Sequence, residues 1–310
     1  MAISTIRIGC TQYLHTDAIL SGRLTLDSFC VQPERAKSID ECTLKTLGGE
    51  YDVGESSLAT FLKIAESQTG LKALPIFSRK FLHHYQFCLN DASIQSPRDL
   101  VGKKVAIPQF WITAGIWHRW LFERYYGIEP GQITWFPLQR DRVVAPYPDH
   151  YQIDWRHVGK SAPELLRSRE VDVFIYARKI DDDRGIRTVQ PNPIEETTKF
   201  YHDVRMVPIT HVIVVREELL ESNPNLVGEL VHLFERSRDL GLKDVGNSVS
   251  MYLPFADLHL QRTDSMLDKD WNSFGWEKNY RILRTFYNAA CEQGFISGKR
   301  SLEDCFVQFD

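Results

Sequence analysis

The stretch Lys104-Val105-Ala106-Ile107-Pro108-Gln109-Phe110-Trp111-Ile112-Thr113-Ala114-Gly115-Ile116-Trp117 changes character midway. Its first four residues form a short apolar run that suits a buried strand, and Pro108 ends it because proline cannot donate to the ladder. Thr113 is placed to cap a helix from Ala114 to about Tyr126, with Gly127 supplying a left-handed exit. The start of such a helix presents unpaired N–H groups and the positive end of a dipole, which suits a carboxylate or phosphate. An ordinary connection between strand and helix uses the same residues.

The same alternation extends to both sides. Strands are expected at 3–10, 24–31, 51–54, 71–77 and 84–89, and again at 133–136, 171–176 and 209–215. Helical spacing occurs at 16–21, 38–47, from Ser56-Ser57 through Ala65, and at 162–168. Near the end it recurs at 224–240, 279–292 and 301–306. Alternating strands and helices imply parallel α/β layers. Residues 140–158 carry Pro, Asp and aromatics without periodicity, as expected of a lid or insertion. The strand at 84–89 leaves one lobe and that at 209–215 returns to it. This gives residues 1–84 with 211–310 as the first lobe and 85–210 as the second, with two crossings and a cleft between them. Clefts of this kind hold small-molecule sites.

At 310 residues the chain is long enough for two domains, and its 43% hydrophobic and 25% charged content is that of a globular protein. A formal net charge of −4 gives no electrostatic footprint for nucleic acid or a membrane surface. The six cysteines show no C-x-x-C pair and no His spacing typical of zinc, which fits reduced thiols. Residues 1–7 carry no apolar signal region and no apolar run reaches membrane-spanning length, so a cytoplasmic protein is expected.

Tyr51-Asp52-Val53-Gly54-Glu55-Ser56-Ser57-Leu58 resembles a segment of the 4,5-dihydroxyphthalate decarboxylase family. Further similar segments follow in order: 73–84, 99–108, 113–117, 208–214 and Glu292-Gln293-Gly294-Phe295. The chain departs from the family pattern at Trp120 and across 268–275. The resemblance implies a two-lobed α/β fold of the type II periplasmic-binding-protein kind. It also implies decarboxylation of a hydroxylated aromatic carboxylate without a cofactor. A binding protein for an anionic aromatic ligand, or another lyase on the same fold, is the alternative.

That chemistry needs a cationic or N–H-rich site for carboxylates, a base for a phenol and an acid for the ring carbon. Arg79 suits a carboxylate because its fork bonds both oxygens. His83 and His84 in an extended strand would face opposite ways, and the family pattern favours His83 as the catalytic group. His211, on the returning strand, could meet His83 across the cleft floor, although a lone His beside an apolar run is more often a core residue. Glu55 is a candidate base or a helix cap. Ser56, Thr113, Ala114, Arg178 and Tyr13 complete the expected substrate-binding set. His15 is noted without a role, and packing or solvent exposure accounts for His118 and Arg119. No spaced ligand set points to a metal.

Overall fold

The computed structural model describes residues 4–248 and 253–310. The chain lays down β1 (Thr5–Cys10), β2 (Cys30–Arg35), β3 (Val53–Ser57) and β4 (Leu71–Arg79). It then adds β5 (Gln86–Leu89), β6 (Lys104–Ile107), β7 (Thr134–Pro137), β8 (Gln152–Ile153), β9 (Val173–Ile175) and β10 (Ile186–Thr188). The last strand is β11 (Ile209–Arg216). One sheet runs β2-β1-β3-β11-β4 and the other β10-β5-β9-β6-β7-β8.

The first unit comprises Met1–Arg79, Ile209–Arg284 and Gly298–Asp310, and the second comprises Lys80–Pro208 and Thr285–Ser297. Residues 285–297 thus join the second unit, whereas the sequence reading put them in the first lobe. Their attachment is specific. Gln293 accepts from Arg119 Nε at 2.8 Å and donates to the Ile116 carbonyl at 3.0 Å, and the Phe295 and Trp111 rings lie 5.1 Å apart. The chain therefore changes unit at 79/80, 208/209, 284/285 and 297/298 rather than at two crossings.

In the first unit β1 pairs in parallel with β2 and β3, while β11 runs antiparallel between β3 and β4. The sheet is mixed, not wholly parallel. Val212–Val215 is buried on both faces, as its unbroken apolar run requires of a central strand. Gly9 lets the Tyr51 ring lie against the backbone, since a Cβ there would come within 2.1 Å of it. The expected strand at 24–31 instead begins at Cys30 and extends to Arg35. As an edge strand, β2 is largely exposed and tolerates Pro33, so apolar content was a poor guide to it.

In the second unit β6 pairs in parallel with β7 and β9, and β5 antiparallel with β9 and β10. The helix after Pro108 spans Thr113–Trp120 and continues as a wider turn over Leu121–Tyr125, with Gly127 at φ +72°. Ile112 holds the cap position, so Thr113 is the first helical residue rather than the cap. Residues 140–158 are mostly exposed or half-buried, with Ala145, Tyr151 and His157 buried. Helix Pro193–Val204 has no counterpart in the sequence reading, whereas Glu217–Ser222 and Ala256–Met266 fall in the stretch after Arg216 that reads as helical. Among the described residues, no helix is long and apolar enough to cross a membrane.

Candidate active site

The helix after β1 leads away to β2, whereas that after β3 leads towards β4, so the connections reverse between two neighbouring strands. Open α/β sheets bind ligands at the carboxyl ends of their strands where this reversal occurs. Thr11 follows β1 at that edge, Glu55 lies near the end of β3, and Ser78 and Arg79 end β4. β11 brings His211 opposite Ser57 on one side and Ser78 on the other. Glu55 is two residues from Ser57, so alternation puts it on the same face, diagonal to His211. Thr210 is the extra residue where the β11–β4 register shifts, and its hydroxyl donates to the Ser78 carbonyl at 3.1 Å.

Glu55 is fully buried. One carboxylate oxygen, Oε2, accepts from the Thr11 amide at 3.1 Å and from the Thr11 hydroxyl. The other, Oε1, accepts from His211 Nδ1 at 2.8 Å and from the Ser78 hydroxyl at 3.1 Å. His15 Nε2 lies 3.2 Å from the same Ser78 hydroxyl. Burial opposes ionisation of Glu55, yet the His211 and Thr11 hydrogen bonds and the two imidazoles hold its carboxyl below the ordinary range. Glu55 is therefore neither a helix cap nor a group in a loop. It is a buried anion in a strand, and the helix begins at Leu58.

Tyr13 covers this group. Its ring stacks on His15 at 5.7 Å and tilts towards His211 at 6.2 Å, while 38% of the residue stays exposed. Burial and the Glu55 charge push its hydroxyl up to about 12. Ser56, next to Glu55 but on the opposite face, is buried and donates to the Ser57 carbonyl at 3.3 Å.

Arg79 Nη2 donates to the Ser273 carbonyl at 2.7 Å and to Asn279 Oδ1. Its Nε and Nη1 are buried without a partner among the described residues. Burial and nearby Arg238 lower its pKa to about 10. Arg238 lies over the Phe274 ring at 5.0 Å, and Phe274 meets His15 edge-on at 6.1 Å.

The remaining expected residues belong to the second unit. His83 opens a short 3-10 turn, His83–Tyr85, rather than lying in an extended strand, so the opposite-faces argument does not apply to the His83-His84 pair. Its ring is 1% exposed, packs 4.9 Å from Phe200, and leaves both nitrogens without a partner among the described residues. Burial, then His118 and His84, lower its pKa to about 3. A ring held neutral in the folded state adds stability that is complete above the unfolded value of about 6.5 and is lost as pH falls towards the folded one. His83→Phe should therefore flatten the loss of unfolding free energy between about pH 6.5 and 4 in urea titrations. An unchanged slope would contradict a buried neutral ring.

Thr113 is buried, and the Ala114 carbonyl is paired with His118 Nδ1 at 2.7 Å. The Trp111 amide, two residues before that helix, donates to Asp141 Oδ1 at 2.7 Å. Arg119 is buried over the Phe110 ring at 4.0 Å, so of the two expectations for it packing holds and solvent exposure does not. Arg178 is exposed and donates to the Tyr176 hydroxyl at 2.6 Å.

Sequence reasoning missed Thr11, Ser78, Asn279 and Arg238, and it gave His15 no role. Ser78 immediately precedes Arg79, and Thr11 and His15 flank the first strand-to-helix turn. Both places carry a signal once the switch point is known. Among the described residues, no group of three or more His, Cys, Asp or Glu could hold a metal ion.

No family model matches the chain. Over 271 residues it is 27% identical to a 4,5-dihydroxyphthalate decarboxylase of Comamonas testosteroni, covering 83% of this chain and 82% of that protein. Over 137 residues it is 35% identical to a protein of the same name from Pseudomonas putida, covering 42% of this chain and 53% of that one. The periplasmic aliphatic sulphonate binding protein SsuA of Escherichia coli matches its structure with a TM-score of 0.60 at 14% identity, over 100% of this chain and 94% of that one. The fold is that of the periplasmic binding proteins, as the resemblance implied. The chain is similar in sequence to 4,5-dihydroxyphthalate decarboxylases over most of its length.

Proposed function

We propose that this chain, a periplasmic-binding-protein fold similar to the 4,5-dihydroxyphthalate decarboxylases, is a carboxy-lyase acting on a hydroxylated aromatic carboxylate such as 4,5-dihydroxyphthalate. The observation that carries this reading within the site is the pairing of buried Glu55 with half-buried His211 at the switch point. A ring hydroxyl para to the leaving carboxylate pushes electron density onto the carbon that bears it. His211 adds a proton there from Nε2, the carbon–carboxylate bond breaks, and its electron pair restores the aromatic ring as carbon dioxide leaves. Glu55 holds the imidazole by Nδ1 and balances its charge while Nε2 carries the proton. The ring itself accepts the electrons, so the step asks for no separate electron sink.

Arg79 supplies the positive charge for a substrate carboxylate, since no described carboxylate pairs with it. Arg79→Ala should weaken 4,5-dihydroxyphthalate binding in calorimetry by about 1.5–3 kcal/mol, the usual range for a hydrogen bond to a charged group. An unchanged affinity would leave Arg79 only as the support of the 273–279 segment.

Carbon dioxide release from a panel of hydroxybenzoates and hydroxyphthalates tests the activity. Stoichiometric release with a hydroxylated member supports it. Tight binding without release favours a solute-binding protein for an anionic aromatic ligand.

A further inference from the structure

We infer that His15 is the acceptor that reads a ring hydroxyl of the ligand, fixed in the tautomer this requires by Ser78 and Glu55. This deepens the reading above and rests on its ligand class. Glu55 is held as a carboxylate, which can only accept. The single hydroxyl proton of Ser78 therefore points to Glu55 Oε1, 3.1 Å away. Ser78 Oγ can then only accept from His15 Nε2 at 3.2 Å, which puts the His15 proton on Nε2 and leaves a lone pair on Nδ1. No hydrogen bond from the described residues reaches Nδ1.

The same carboxylate oxygen takes the Nδ1 proton of His211, so the two rings present opposite faces of one device. His15 offers Nδ1 as an acceptor, and His211 offers Nε2 as a donor when protonated. Burial lowers the His15 pKa to about 4; Glu55 opposes this, and His211 and Arg238 reinforce it. The ring is thus neutral at physiological pH. Tyr13 stacked on one side and Phe274 edge-on fix its plane. A neutral acceptor held in one orientation rewards a hydroxyl and is left unpaired by a ligand that lacks one.

Calorimetry on the full chain with phthalate, 4-hydroxyphthalate and 4,5-dihydroxyphthalate tests this. The parent should prefer a hydroxylated ligand over phthalate by about 10–100-fold, the size of one lost hydrogen bond with its partner orphaned. His15→Phe should lose the preference, because it leaves no acceptor for phthalate to orphan, and Ser78→Ala should reduce it by freeing the tautomer. Nitrogen-15 chemical shifts of the parent should show His15 protonated at Nε2, a readout that needs no variant to fold. Equal binding of phthalate and its hydroxylated forms, no binding of any, a preference kept by His15→Phe, or an Nδ1-protonated His15 would each overturn the inference. These readouts are affinity and tautomer rather than turnover, so they fail separately from the decarboxylase reading.

Discussion

Replacing His211 by Gln should lower carbon dioxide release from 4,5-dihydroxyphthalate by about 10²–10⁴-fold, the usual contribution of a positioned proton donor. Ligand affinity should change little, because Gln keeps a comparable reach and can still donate to Glu55. The loss should therefore fall on kcat rather than KM. An equal loss of affinity and turnover would make His211 a binding residue instead.

Glu55→Gln should reduce turnover by a similar factor of about 10²–10⁴, because the imidazolium it balances would lose its counter-charge. This variant also has a signature in stability. Glu55 is fully buried with its carboxyl held below the ordinary range. A depressed carboxylate stabilises the fold fully above its unfolded value of about 4.3, and that stability is lost as pH falls through the lower folded value. The Gln variant should be less stable at neutral pH, and the difference should shrink in acid. A gap between parent and variant that is constant from neutral pH to strongly acid conditions would mean Glu55 is not ionised in the folded protein.

The sequence shows the frame of the first sheet more clearly than the site built on it. The unbroken run in β11 and the strand-break-helix at Pro108 are local signals, and both elements lie where the pattern put them. The sequence pattern marks Glu55, but as a group before a helix. A charged residue inside a buried strand is tolerable only with partners at Thr11, Ser78 and His211, and no local pattern reveals that these converge. His83 shows the reverse case. The adjacent histidines suggest acid–base chemistry at His83, yet that ring fills the space beside Phe200, on a helix with no counterpart in the sequence pattern. Thr113 was close but displaced by one residue, because Ile112 takes the extended cap conformation.

His211, held by Glu55, protonates a ring carbon of the proposed substrate as carbon dioxide leaves. Turnover of 4,5-dihydroxyphthalate in deuterium oxide, followed by NMR of the ring and by released carbon dioxide, tests it most directly. One carbon dioxide per substrate and one deuterium at the vacated ring carbon are expected, with both lost together in His211→Gln. Ligand that binds and is recovered unchanged, with no carbon dioxide and no ring deuterium, would contradict it.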